Sequence, residues 1–293
     1  MSILVGPDTK VLIQGITGRA GRLHTQSMLE YGTTIVAGVR PGAEGEEVCG
    51  VPVYNRVKSA VAETGANASV LFVPAHAVKG AALEAIDAGI KLLVIIPEHV
   101  PLHDTLEIIN EARKRGAIVI GPNTAGMIAP PVKCKLGFMP NRYYIPGPVG
   151  VVTRSGTLTY EIVSRLTLAG IGQTTCVGVG GDAAVGTRFP DLLKLFEADP
   201  ETKVMLLVGE LGGTQEEEAA ELVRTGLITK PVIAYIAGYS IPSGKRFGHA
   251  GTIVEGNRGT IESKLNAFAE AGIPVAKFPA DVVKLIKEGG YDG

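Results

Sequence analysis

The residue of this sequence best suited to covalent chemistry is a histidine set among glycines, in Gly244-Lys245-Arg246-Phe247-Gly248-His249-Ala250-Gly251-Thr252. Neutral imidazole near physiological pH acts as nucleophile or proton carrier, and flanking glycines give it a mobile backbone. On these residues alone, a solvated loop histidine is the plainer alternative. Glu210 closes an apolar run in Val208-Gly209-Glu210-Leu211-Gly212-Gly213-Thr214, at the carboxyl end of a strand, where open α/β sheets place ligands. In Thr153-Arg154-Ser155-Gly156-Thr157-Leu158-Thr159-Tyr160-Glu161 a strand passes through Ser-Gly into an amphipathic helix, whose N-terminal N–H groups can hold a phosphoryl group. Ser155 or Thr157 also reads simply as an N-cap.

A second anion-handling pattern lies near the start. Gly15-Ile16-Thr17-Gly18-Arg19-Ala20-Gly21 follows the opening strand and leads into a helix running to Tyr31. Its GxxGxxG spacing departs from the dinucleotide GxGxxG, so packing of helix on strand is an alternative. Arg19 and Arg22 add cations to the helix start. The second strand ends in Val39-Arg40-Pro41-Gly42, without the carboxylate that a nicotinamide dinucleotide's ribose requires. Thr214 with Glu217 predicts a capping box, which makes Glu216 to Glu218 first-turn charges favoured by the helix dipole. His24, His76, His99 and His103 read as surface or helix-start residues.

The elements that must position these groups follow from periodicity. Strand-like runs (11–14, 34–39, 69–73, 92–96, 117–120) alternate with helical ones such as 76–87 and 102–115, which predicts a parallel sheet covered on both faces. The alternation stops near Gly121. Residues 127–148 carry five prolines and no helical period, and read as a long ordered connection. Strands resume near 149–153, 175–179, 204–208, 232–236 and 275–277, a second doubly wound unit. The 293 residues fit two domains at about 150 residues each.

Composition narrows the function. With 28 basic and 29 acidic side chains, no basic stripe marks a duplex nucleic-acid binder. The longest uncharged run, 116–132, has 17 residues and three prolines, so no membrane span is expected. No export signal is visible at the N-terminus, and a cytoplasmic protein is expected. Cys49, Cys134 and Cys176 form no CxxC pair, so neither a disulfide framework nor a zinc site fits and no metal-ligand set is expected. Each cysteine reads as a buried small hydrophobe or an incidental thiol.

In this combination the chain resembles the α subunit of succinyl-CoA synthetase, the nucleoside-diphosphate-forming succinate–CoA ligase. The resemblance rests on MSILVGPDTKVLIQGITG (1–18), SVLFVPA (69–75), EAIDAGIKLLVIIPEHVP (84–101), GPN (121–123), TRSGTLTYE (153–161), TTCVGVGGD (174–182), GELGG (209–213), YIAG (235–238) and GKRFGHAG (244–251). It implies a Rossmann-like CoA-binding domain over residues 1–126, the proline-rich connection 127–148, and a flavodoxin-like ligase domain over 149–293. It implies that His249 is transiently phosphorylated, that Glu210 holds the ring's other nitrogen, that Ser155 and Gly156 cradle the phosphoryl group, and that Tyr160 helps enclose the acid. Asn123 and Thr124 lie beside the acyl site. Thr17, Gly18, Arg19, Ala20, Pro41, Ile96, Pro97 and Glu98 match the CoA contacts. The implied partner is an ATP-grasp β subunit, in an αβ or α2β2 assembly, that carries ATP or GTP with Mg²⁺.

Two positions depart from the family pattern. Ala43, followed by Glu44, stands where the family usually has a CoA-binding lysine, and of Arg19, Arg22 and Arg40 it is Arg19, within the CoA loop, that is expected to compensate. PNCPG reads Pro122-Asn123-Thr124-Ala125-Gly126. The smaller Ala125 and the extra hydroxyl of Thr124 leave open a larger or hydroxylated acid such as malate, beside succinate.

Overall fold

The computed structural model describes residues 2–238, 249, 251–254 and 256–291. The first unit comprises β1 (Val11–Gln14), α1 (Arg19–Tyr31), β2 (Ile35–Val39), β3 (Glu47–Val48), β4 (Val51–Tyr54), α2 (Val57–Thr64), β5 (Ala68–Leu71), α3 (Val78–Asp87), β6 (Leu92–Ile95), α4 (Leu102–Arg115) and β7 (Ile118–Ile120). The second comprises β8 (Gly126–Ala129), β9 (Cys134–Gly137), β10 (Pro146–Thr153), α5 (Gly156–Leu168), β11 (Gln173–Gly178), α6 (Phe189–Ala198), β12 (Val204–Gly209), α7 (Gln215–Arg224), β13 (Val232–Ile236), α8 (Ile261–Glu270), β14 (Val275–Ala276) and α9 (Asp281–Glu288).

The first sheet runs β3-β4-β2-β1-β5-β6-β7. Apart from the antiparallel β3, this is the 3-2-1-4-5-6 order of a Rossmann fold, with the switch point between β1 and β5. In the second sheet β11-β10-β12-β13-β14 is the parallel 2-1-3-4-5 order of flavodoxin, with the switch point between β10 and β12. The central strands β1, β5, β6, β11 and β12 are buried throughout, as expected where helices cover both faces.

The segment expected as a connection does more than connect. Residues 126–137 form an antiparallel hairpin, β8–β9, which adds to the edge of the second sheet by pairing β8 with β11. Prolines 130 and 131 fall in its turn and Pro140 beyond it, so the strands keep their ladder bonds. Strands of four residues, separated by prolines, leave no periodic trace in the sequence. Among the described residues, no helix is long and apolar enough to cross a membrane.

Candidate active site

The turn after β7 joins the carboxyl ends of β6 and β11, one from each sheet. Asn123 N–H donates to Pro97 O (2.9 Å), past the end of β6. Gly181 N–H, past the end of β11, donates to Asn123 O (3.1 Å). Asn123 takes a left-handed φ of 57°, a conformation asparagine tolerates better than most residues. A cavity of about 300 Å³ lies here, lined among others by Ile96, Glu98, Asn123, Tyr160, Ser155 and His249.

His249 lines this cavity and is hydrogen-bonded to Glu210 behind it. His249 Nδ1 lies 2.9 and 3.0 Å from the two oxygens of Glu210, whose side chain is 9% exposed. The hydrogen bond to Glu210 raises the His249 pKa above its ordinary 6.5; burial and the charge of Arg154 oppose this, and Asp182 adds to it. Gly181 backs the ring: a Cβ there would clash with His249 Cγ, so only glycine allows this approach. Of the loop 244–252, residues 244–248 and 250 lie outside the described residues.

Ser155 begins α5, and its hydroxyl accepts from Leu158 N–H, the N-cap expected of it. Gly156 follows, so the α5 N-terminus meets the cavity beside His249. Tyr160 lines the same space; its hydroxyl is buried with no hydrogen-bond partner among the described residues, and burial raises its pKa. Asn123 ties its amide to Asp182 (Nδ2–H to Oδ1, 3.0 Å). Thr124 donates its hydroxyl proton to Gly178 O (2.6 Å) and accepts from Gly126 N–H (2.9 Å). The hydroxyl that a malate site was to exploit is thus engaged within the fold.

The first-unit candidates lie in loops at strand ends and, for Arg19 and Ala20, in the first turn of α1. Thr17, Gly18, Arg19 and Ala20 follow β1, Pro41 follows β2, and Ile96, Pro97 and Glu98 follow β6. Gly15, at φ 79°, makes the turn out of β1. Helix α1 starts at Gly18 without a side-chain cap and without an acidic residue in its first turn, an end disposed toward anions. Arg22 folds back to donate to Thr17 O (2.9 Å), whereas Arg19 and Arg40 extend into solvent. Ala43 is buried, and Glu44 accepts from Asn55 N–H (2.5 Å), so Glu44 serves the loop's own fold.

Three expectations are corrected. Thr214 and Glu217 form no capping box: Thr214 donates to Glu218 (2.7 Å), while Glu217 accepts from Gly259 N–H and the Ser263 hydroxyl, both at 2.8 Å. Glu216 is no surface charge; it is wholly buried, accepts from Glu210 N–H (3.1 Å) and pairs with buried Lys264. His24 is half-buried, with Phe72 and Phe138 at ring distances of 5.4 and 5.5 Å. The overlooked residues carried a signal. Glu216 with Ala219 and Ala220, and Lys264 with Ile261 and Phe268, sit at helical spacing on the apolar stripe of their helices. Exposed Cys49 contrasts with buried Cys134 and Cys176.

Comparison with known proteins agrees with this layout. Residues 7–99 match the model of the CoA binding domain and residues 152–273 that of the CoA-ligase family. The chain is 54% identical to succinate–CoA ligase [ADP-forming] subunit alpha 2 of Archaeoglobus fulgidus, over 98% of this chain and 99% of that one. It is 47% identical to the corresponding Staphylococcus aureus subunit, over 99% and 97%. Among solved structures, ATP citrate lyase of Methanothrix soehngenii, in complex with citrate and coenzyme A, superposes with a TM-score of 0.86 at 25% identity. That match covers 99% of this chain, which spans about half (52%) of the lyase chain. Matched over its whole length to such subunits and built of both domains, the chain belongs to the family of succinate–CoA ligase α subunits.

Proposed function

We propose that this chain is the α subunit of a ligase that reversibly forms succinyl-CoA from succinate, CoA and a nucleoside triphosphate through phospho-His249. The observation that carries the reading is the bond from His249 Nδ1 to the buried Glu210 carboxylate, beside a cavity that also meets the α5 N-terminus. A carboxylate accepting from Nδ1–H leaves Nε2 with a free lone pair, the nucleophile that phosphoryl transfer needs.

A carboxylate is a poor electrophile, so the acid is first made an acyl phosphate. His249 Nε2 attacks the γ-phosphorus, and the nucleoside diphosphate leaves with the electron pair of the broken P–O bond. The phosphoryl group then passes to a succinate oxygen as the N–P bond breaks, and the ring recovers its lone pair. The CoA thiolate attacks the acyl carbon, and phosphate departs. Backbone donors at Ser155 and Gly156 stabilise the moving charge. Tyr160, whose hydroxyl has no partner among the described residues, and Asn123 orient the acid.

CoA is assigned to Thr17, Gly18, Arg19, Ala20, Pro41, Ile96, Pro97 and Glu98. An uncapped helix start with no acidic neighbour suits its phosphates. Succinate is preferred to malate because the relatives above are succinate ligases and the Thr124 hydroxyl is engaged elsewhere. Their ADP-forming reaction favours ATP. The nucleotide with its Mg²⁺ is assigned to an ATP-grasp β subunit, the setting to the cytoplasm, and the domains to residues 1–126 and 149–293, with 127–148 between them.

The test is labelling. The α subunit reconstituted with its β subunit and γ-³²P ATP should carry acid-labile phosphate, which His249→Gln abolishes; label that survives this substitution overturns the assignment. An acid panel on the same complex should rank succinate above malate and citrate.

A further inference from the structure

Arg154 stands in the turn between β10 and α5, next to the proposed phosphoryl cradle, with its side chain 2% exposed. Its guanidinium reaches two other loops. Nη1 donates to Gly212 O (2.5 Å), two residues beyond Glu210, and Nη2 donates to Gly251 O (3.1 Å), two residues beyond His249. Nη2 also lies 3.5 Å from Glu210 Oε1, and Nη1 lies 3.7 Å from Glu216 Oε1. One planar cation thus touches the partner of the histidine and the backbone beyond both members of the pair.

Behind it lies a second tier. Glu216 of α7 accepts the Glu210 N–H (3.1 Å), and Lys264 of α8 pairs with Glu216 while donating to Gly212 O (3.0 Å). Gly212 O therefore receives both cations. Arg154 and Lys264 thus stand against Glu210 and Glu216, and Glu217 lies 3.9 Å from the Lys264 ammonium. An unpaired member of such a buried set would be costly, so removing one disturbs the rest.

We infer that Arg154 is a positioning residue for phosphoryl transfer: it fixes the Glu210 loop and the His249 loop to the α5 cradle. This inference rests on the phosphohistidine reading above. The charged groups facing His249 are Glu210, Arg154 and Asp182, from three separate loops, with Glu216 and Lys264 behind them. Lysine at 154 would keep the charge and lose the fork that spans two carbonyls. Methionine would lose both.

The experiment measures the rate of His249 labelling against pH in the reconstituted complex, for wild type, Arg154→Lys and Arg154→Met, with CoA affinity of each as the check on folding. Arg154→Met should label roughly 10²-fold more slowly, the scale of a misplaced reacting group. Its acid limb should move up by roughly one pH unit, as loss of a nearby cation favours the protonated ring. Arg154→Lys should be slowed while keeping the wild-type limb. Equal labelling by all three overturns the inference, as does a loss that is uniform with pH and unrelieved by lysine. If Arg154→Met also loses CoA affinity, Arg154→Lys decides: a wild-type rate overturns the inference, and a slowed rate with an unmoved limb supports it. Failure of the wild type to label would instead dismiss the phosphohistidine reading.

Discussion

At the scale of single residues, Glu210 engages Nδ1 of His249 and leaves Nε2 for the proposed transfer. Its carboxylate accepts a hydrogen bond from Nδ1–H and raises the ring's pKa. The imidazolium–carboxylate pair stabilises the fold fully below pH 6.5, the ring's ordinary value, and that contribution is lost as pH rises through the raised value. The proposed attack requires the neutral ring, so the same pair should set the acid limb of labelling. Glu210→Gln should move that limb to lower pH, opposite to Arg154→Met, and slow labelling at its plateau roughly 10²-fold or more. A pH profile of phosphohistidine formation checks both; an unmoved limb would detach Glu210 from the ring's titration. The pairing of His249 with Glu210 was implied by resemblance, since 39 residues separate them and no local pattern links them.

At the scale of elements, helices and central strands follow from local pattern. Helix α4 over Leu102–Arg115 and strand β1 over Val11–Gln14 coincide with the apolar periodicity that predicts them. The capping box at Thr214 fails because its glutamate finds Gly259 and Ser263, which are distant in sequence and invisible to a four-residue motif. Packing sets the support of β10, which ends at the cradle. Gly150 leaves the space that the fully buried Phe196 ring of α6 fills; a Cβ there would lie 2.6 Å from Phe196 Cδ1. Phe196→Ala should cost about 3–5 kcal/mol. Urea unfolding measures it, and CoA affinity should be retained because the first unit holds that site.

At the scale of the whole molecule, the two units are bound by more than the chain between them. Lys135 of β9 is wholly buried and donates to Ser27 Oγ on α1 (2.8 Å), to Met139 O (3.2 Å) and to Asn141 Oδ1 (2.6 Å). Asn141 in turn donates to Ser27 O (3.1 Å). Burial lowers the Lys135 pKa to about 8. All three ammonium protons are used, and helix α1, whose first turn is assigned to CoA, is thereby tied to the hairpin of the other unit. Lys135→Met keeps the stem and strands three acceptors, so it should lose at least about 2 kcal/mol in urea unfolding. Hydrogen exchange in α1 should rise with it; unchanged exchange would show that the tie carries no load.

The sequence by itself determined the alternation of strand and helix, the glycine turns, and the family motifs that single out His249, Glu210 and the Ser155 loop. Those are local signals, written in spacing and residue type. Tertiary structure alone decided that 126–137 joins the second sheet, that Glu216 and Lys264 are a buried pair, and that Arg154 spans three loops. Each of these depends on contacts between residues far apart in the chain, where burial in a low-dielectric interior turns ordinary surface charges into obligatory partners.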